Sequence, residues 1–557
     1  MTLHRSIARL VAAALAAGAV FVGVPAAHAQ LTENDVLVVY DSRLLDGASQ
    51  KHSLLVAEHY AGSAKVPGGV GGKPGVHPRV RVVDLASTGA PVTTGPDITY
   101  TDFAARLRNP LRSYLASTNL AKRIRCIVLT KGIPHRILNI RDDPGAGVPA
   151  NVGDNPGLLN AAFGGNLTFS SVDAELTLLQ QDLNSGEAGG NGDSRADGWI
   201  LNPYWAASLP IRAWSTRFIT SFKPLISAGG GSAGILWDND TDLSLPSTLG
   251  PGDFYLVCRL DGNSVADVRA MIDRAQNILV PTGGTAAFLL DKEDANNNSI
   301  DTDDLDTYAA TGATENPSDY PRARTALLAD GRFAPASAVL NTASGLAGFI
   351  VGPNATFAGS PPVLSTPLLL LASFGANHSG VTDFTTKTTY GTSFNLLPGA
   401  VFNTIESYNG RAFGGLGQNP FVPQQQSADF LADRPTAGGG GTLAIGNVWE
   451  PLAYTVADNR YITQNFFAGN LSWAEAAYTA LPVLSWQQIV LGDPLARARR
   501  DRDDVNGDGR VDVDDLYAWI AAPTDINRSG APDNADLLLL EQTVRAHESI
   551  NMKYDQR

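Results

Sequence analysis

Cysteine is nearly absent from this 557-residue chain, which has only Cys126 and Cys258. Two thiols cannot build a disulfide scaffold. Each lies in an apolar run that predicts a strand, residues 124–129 and 255–258. Both are therefore expected to be buried, as free thiols or as one bridge if neighbouring strands bring them together. A position inside a strand argues against a catalytic cysteine. Positive charge is also short: the formal net charge of −14 excludes nucleic acid as a natural partner. No uninterrupted apolar run of transmembrane length follows residue 24, so no transmembrane anchor is expected. The glycine-rich stretches at 67–75 and 438–441 lack the Gly-Lys-Ser/Thr ending of a phosphate-binding loop and are read as turns. Glycine and proline are plentiful instead (56 and 33), which implies many long loops.

The first residues carry an address. His4, Arg5 and Arg9 precede an apolar run at 10–24, and Ala27-His28-Ala29 precedes Gln30. A basic start, an apolar middle and an A-x-A ending make a cleavable secretory signal. Residues 1–29 are expected to be removed near Ala29/Gln30, leaving a product that is secreted, periplasmic or at the cell surface.

The body, residues 30–500, alternates short apolar runs with helical patterns. Strands are expected at 36–40, 80–83, 127–129, 254–257, 286–290, 367–371, 399–402, 441–445 and 488–491. Helices are expected at 52–61, 102–115, 264–279 (with Asn263 as N-cap) and 472–481. This alternation predicts an α/β fold, a mostly parallel, doubly wound sheet with helices on both faces. Two subdomains, about 30–250 and 251–500, fit the length, and ligands would sit at the carboxyl ends of the strands. Residues 291–320 form an acidic, Asn-rich insertion. Within it 294–301 looks like a calcium loop one residue short, and a solvated loop is the first reading.

The tail holds the most specific pattern. Loop 1, residues 504–515, places oxygen donors at positions 1, 3, 5, 9 and 12: Asp504, Asn506, Asp508, Asp512 and Asp515. Arg510 at position 7 offers its carbonyl, and Gly509 stands at position 6, where the chain must turn. Loop 2, residues 525–536, repeats this with Asp525, Asn527, Ser529, the Ala531 carbonyl, Asp533 and Asp536, and Gly530 at position 6. A flexible shell of oxygens suits Ca²⁺, two sites in all, better than Mg²⁺, which wants stricter octahedral geometry. A merely solvated acidic run would not set glycine at position 6 twice. An apolar helical run follows each loop, but Pro494 spoils any entering helix before the first.

A loop-then-helix unit used twice without an entering helix resembles the dockerin type I module, over residues 501–548. The resemblance implies a small α-helical calcium-loop module that folds on Ca²⁺. In that family loop positions 10 and 11, commonly a small hydroxyl pair, bind cohesin. Here they are Val513-Asp514 and Asn534-Ala535. The partner is therefore left as a cohesin-like or other cell-envelope protein.

The body, from about 35 to 497, resembles an uncharacterised family of exported bacterial proteins. The motifs include Val128-Leu-Thr-Lys-Gly-Ile-Pro134, Arg259-Leu-Asp-Gly262, Trp449-Glu-Pro-Leu452 and Leu491-Gly-Asp-Pro-Leu495. More distantly it resembles caspase-like peptidases of the gingipain type, whose histidine and cysteine follow successive strands. His378 stands at the histidine position, and Glu406-Ser407 stands where the cysteine would fall. The resemblance thus implies a His378/Ser407 pair as one catalytic candidate. A second constellation comprises Asp173, Glu175, Asp261, Glu406, Glu450 and Asp493, expected near strand ends on one rim. Such carboxylates serve as acid and base or hold a metal, or pair with Lys131, Arg136 and Arg259, the commoner fate. Lys131 is placed to meet an anionic ligand. Two functions remain: an exported calcium-binding protein with a non-catalytic body acting in binding or assembly, or a secreted hydrolase of polysaccharide or peptide.

Overall fold

The structure, a computed structural model, describes residues 30–138, 170–181, 199–218, 221–226, 232–238, 248–292, 319–414, 424–435, 439–449, 451 and 455–548. Residues 1–29, expected to be a signal, the short loop at 294–301, Gly438 and Glu450 lie outside the described residues.

Ten strands form the central sheet: β1 (Val36–Tyr40), β2 (Arg81–Asp84), β3 (Cys126–Thr130), β4 (Leu256–Leu260), β5 (Ala287–Asp291), β6 (Ala338–Asn341), β7 (Leu368–Ser373), β8 (Leu396–Thr404), β9 (Leu443–Asn447) and β10 (Gln488–Leu491). Their order is β6-β5-β7-β8-β9-β10-β4-β3-β1-β2. Runs such as Val36–Tyr40 and Leu368–Ser373 are buried at every residue, as strands covered on both faces require. All pairings are parallel except β9 with β10. The sheet is therefore two five-stranded parallel halves, β2-β1-β3-β4-β10 and β6-β5-β7-β8-β9, with the same internal order and opposite directions. The α/β expectation holds in this form. The halves do not separate at residue 250, because β4 and β10 both belong with β1.

The opposed directions correct one expectation. Asp261 follows β4 and Glu406 follows β8, so they lie at opposite edges of the sheet. The carboxylates cannot share one rim.

The described helices include α1 (His52–Ala61), α2 (Asn109–Ser117), α3 (Val172–Thr177), α4 (Val265–Arg274), α5 (Asp319–Ala329), α6 (Trp473–Ala480), α7 (Val513–Ala521) and α8 (Asn534–Glu548), with other short helices and turns between. The helical pattern at 102–115 is present but passes through a π turn, Ala104–Arg108, just before Pro110. Proline has no N–H to give and its ring crowds the preceding turn, so the ladder widens there. The helix expected at 264–279 stops at Arg274, and Ile278–Val280 instead forms a strand beside Ala498–Arg500. Pairing with a distant segment overrode the local pattern. Its N-cap is Ser264, whose hydroxyl accepts from the Asp267 N–H, rather than Asn263. Among the described residues no helix is long and apolar enough to cross a membrane.

Buried charge fastens the loops to the sheet. Arg259 in β4 is fully buried and grips Asp173 of α3 (Nη2 to Oδ2 2.5 Å, Nε to Oδ1 3.1 Å). It also donates to the carbonyls of Ile133 and Pro134, drawing the segment after β3 back across the sheet. Asp493, just past β10, accepts from Tyr60 Oη (2.7 Å), Gln276 Nε2 (2.8 Å) and the Leu495 N–H (3.0 Å), and meets His77 Nε2 at 2.7 Å. Burial alone would lower the His77 pKa, but Asp493 and Glu33 outweigh it and carry it up to about 9.

Both cysteines are free and buried. Cys126 pairs in register with Leu256 and Cys258 with Val128, so the two lie on adjacent strands two residues out of step. That offset separates their Cα atoms by about 8 Å, beyond the roughly 7 Å a disulfide spans.

Two outcomes are expected. A thiol reagent should find no reactive cysteine in the native protein and two after denaturation without reductant; a native-state bridge would leave none. The His77 ion pair should contribute about 3 kcal/mol in full below pH 6.5, and lose it as pH rises through 9. His77→Gln should flatten urea stability across that window, and an unchanged slope would refute the pairing.

Candidate functional site

In each half-sheet the second strand lies outside the first and the third inside it. The crevice at this reversal, past the strand ends, is where doubly wound sheets bind ligands. In the first half it lies beyond β1 and β3. Lys131 there is buried and already committed: Nζ donates to Asp261 Oδ1 (3.2 Å) and to the Gly262 carbonyl (2.5 Å). The expectation that Lys131 meets an anionic ligand is corrected, since its charge is neutralised within the fold. His52, at the start of α1, packs so closely on Gly132 that a Cβ there would fall 2.0 Å from Nε2. Neither of its ring nitrogens has a hydrogen-bond partner among the described residues. Burial, then the Lys131 charge, pushes its pKa down and keeps it neutral.

The second half has its reversal beyond β5 and β7, and His378 sits there. Its buried ring packs at a tilt against Phe349 (5.2 Å between centroids). Nδ1 is 3.1 Å from the Ser379 carbonyl, and Nε2 lies 4.0 Å from Asp291 Oδ1 at the end of β5. Ser407 is bonded elsewhere, accepting from Gln424 Nε2 at 3.2 Å. No hydrogen bond joins the two residues of the candidate pair.

Glu406, beside Ser407, is fully enclosed. Oε1 accepts the Ala376 N–H (3.0 Å) and the Gln425 N–H (3.3 Å), while Oε2 accepts Tyr390 Oη (2.6 Å) and Thr404 Oγ1 (2.7 Å). Gly375, at φ +56°, must be glycine, because a Cβ would lie 2.4 Å from this carboxyl. Burial drives the Glu406 pKa up to about 7 against these hydrogen bonds. Glu175 accepts from Ser170 Oγ (2.8 Å). Each described member of the carboxylate constellation thus has protein partners, the fate of buried acids that hold a fold together.

The tail loops repeat one network. In loop 1, Asp504 accepts from the Asp508 and Gly509 N–H groups (3.0 and 2.8 Å), and Asp515 from those of Asn506 and Asp512 (3.1 and 2.8 Å). In loop 2, Asp525 accepts from Ser529 and Gly530 (both 2.9 Å), and Asp536 from Asn527 and Asp533 (both 2.8 Å). Positions 1 and 12 thus brace positions 3, 5, 6 and 9 identically in both. Asn506 and Asn527 accept from position 5 alike (2.9 Å). Asp508, Asp512 and Asp533 each turn back on the N–H two residues on. The loops differ at Ser529, whose hydroxyl donates to the Ala531 carbonyl (3.1 Å). Gly509 (φ +81°) and Gly530 (φ +107°) make the position-6 turn. Val511, Trp519, Ile526, Leu540 and Val544 form a small core between the units.

The donors are all oxygen, the chemistry a hard cation prefers. Among the described residues, no three His, Cys, Asp or Glu side chains are grouped so as to hold a metal ion. In their present rotamers the carboxylates serve the loop amides.

The buried join between tail and body was missed by sequence reasoning. Asp503 Oδ2 receives Arg332 Nη1 (2.8 Å), Arg500 Nε (3.1 Å) and Thr543 Oγ1 (3.1 Å), and all four residues are enclosed. Each alone looks like an ordinary charged or polar surface residue, and no local spacing links them. Comparison of the chain with family models, with curated proteins and with solved structures finds no match.

Because Glu406 titrates above the ordinary carboxylic range, ionising it opposes folding. Its contribution is absent below about pH 4.5 and erodes stability as pH rises through 7. Glu406→Gln should show a flatter urea midpoint between pH 5 and 7.5 than the parent, and parallel curves would refute the assignment.

Proposed function

We propose that residues 501–548 bind two calcium ions. Asp504, Asn506, Asp508, the Arg510 carbonyl, Asp512 and Asp515 would hold one, and Asp525, Asn527, Ser529, the Ala531 carbonyl, Asp533 and Asp536 the other. The observation that carries this is the shared hydrogen-bond network of two loops 21 residues apart, bonded alike at positions 1, 3, 5, 6, 9 and 12. A bound cation would neutralise carboxylates that otherwise repel across a short turn, and so hold the loops and their helices together. The dockerin likeness and the N-terminal export pattern extend this to an exported protein that attaches by its tail to a cohesin-like or other envelope partner.

On this reading the body acts in binding or assembly rather than in turnover. Supporting it are the closed networks around Asp173, Asp261, Glu406 and Asp493, which leave these acids engaged with protein partners. A peptidase reading would need the Ser407 hydroxyl on His378, whereas it is bonded to Gln424.

Calorimetric titration of chelator-stripped protein tests the proposal. Two calcium equivalents should be taken up. Asp504→Ala should weaken its site by roughly tenfold or more, since a charged ligand is lost, and Ser529→Ala should weaken the other by less. No uptake at millimolar free calcium, or the reverse order of the two variants, would defeat the ligand assignment.

A further inference from the structure

The two loops are not equivalent: among the described residues the body hydrogen-bonds loop 2 and not loop 1. At position 4 both loops enter the left-handed region that favours glycine. Loop 1 uses Gly507 there (φ +75°), but loop 2 uses Arg528 (φ +59°), a conformation that a side-chain-bearing residue rarely adopts. Arg528 spends its side chain on the body: Nε donates to the Arg332 carbonyl (2.8 Å) and Nη2 to the Thr282 carbonyl (3.4 Å). Thr282 in turn holds Asp501, through its N–H (3.1 Å) and its hydroxyl (2.6 Å).

The body also fits the backbone of loop 2. Gly331 (φ +80°) approaches it so closely that a Cβ would fall 2.6 Å from the Asn527 carbonyl oxygen. From the other side Arg502 donates to the carbonyls of Ile526 (2.7 Å) and Asp525. The body therefore meets loop 2 at positions 3 and 4, the tail's own Arg502 braces positions 1 and 2, and Arg332 links this contact to the buried Asp503, Arg500 and Thr543 cluster. Among the described residues no body group hydrogen-bonds loop 1; its nearest link is electrostatic, Arg499 feeling the charge of Asp512.

We infer that Arg528 latches loop 2 to the body, so that loop 2 is pre-shaped for its cation and its occupancy is coupled to docking of the tail, while loop 1 fills independently. The inference rests on the calcium reading. Preorganisation removes an ordering cost from binding, so loop 2 binds more tightly than its uncharged Ser529 would suggest. Linkage makes the coupling reciprocal: calcium in loop 2 tightens the seat of the tail on the body.

The test uses the full chain and calcium alone as the probe. Asp504→Ala isolates loop 2 and Asp525→Ala isolates loop 1, each with and without Arg528→Gly. Glycine keeps the left-handed backbone, so only the latch is removed. Calorimetry should show about a tenfold loss of affinity from Arg528→Gly in the Asp504→Ala background and less than twofold in the Asp525→Ala background. Hydrogen exchange of the metal-free parent gives a readout that needs no cation. The Ser529 and Gly530 amides should be more protected than those of Asp508 and Gly509, and Arg528→Gly should erase the difference. Uptake in both backgrounds with an unchanged loop 2 constant, or equal exchange in the two loops, overturns the latch alone. No uptake in either background overturns the calcium reading and the coupling with it.

Discussion

The antiparallel contact between β9 and β10 governs the architecture of the body. Within each half every strand runs the same way, so each has one carboxyl edge and one reversal of strand order. Joining the halves through β9 and β10 turns one half over relative to the other. The two carboxyl edges then face away from each other. Lys131, His52 and Asp261 gather at one, and Asp291, His378 and Glu406 at the other. Any chemistry needing residues from both sets is excluded by this single pairing.

At the first edge the charges are paired within the fold, and at the second Glu406 is enclosed by neutral donors. Lys131 meets Asp261, Arg259 meets Asp173, His77 meets Asp493, and Glu406 takes four donors. Burying a charge is unfavourable unless its partner is buried too and its hydrogen bonds are complete. The three ion pairs meet that condition, whereas Glu406, with no buried cation, shifts its pKa upward; all tie segments far apart in the chain to the sheet. The perturbed pKa values of His77 and Glu406 follow from enclosure and partners, and neither by itself signals catalysis.

The tail extends the same logic. Its core is small, built round Trp519, and a module of this size has little apolar area of its own to bury. It leans on the body through Asp503 and through the backbone of loop 2. A tail seated in this way moves with the body, and loop 1, which has no hydrogen bond to the body among the described residues, is the part left to respond on its own.

Much was legible locally. Runs such as Val36–Tyr40 and Gln488–Leu491, and helices His52–Ala61 and Trp473–Ala480, follow from apolar patterning and caps. The two loops are legible from spacing alone, because each twelve-residue turn closes on its own backbone amides. The end of α4 did not follow, since Ile278–Val280 gains a ladder with a segment more than two hundred residues away. Nor did the edge on which each acid falls, which depends on the direction of a strand relative to a distant half. The role of Arg528 was equally hidden: its backbone angle and its acceptors on Arg332 and Thr282 exist only once the tail is seated. Short-range order, the α/β alternation and the oxygen-rich loops were determined by the sequence itself, because their causes lie within a few residues. Strand direction, charge pairing and the inequality of the loops were decided by the tertiary structure, because they arise between groups that only folding brings into contact.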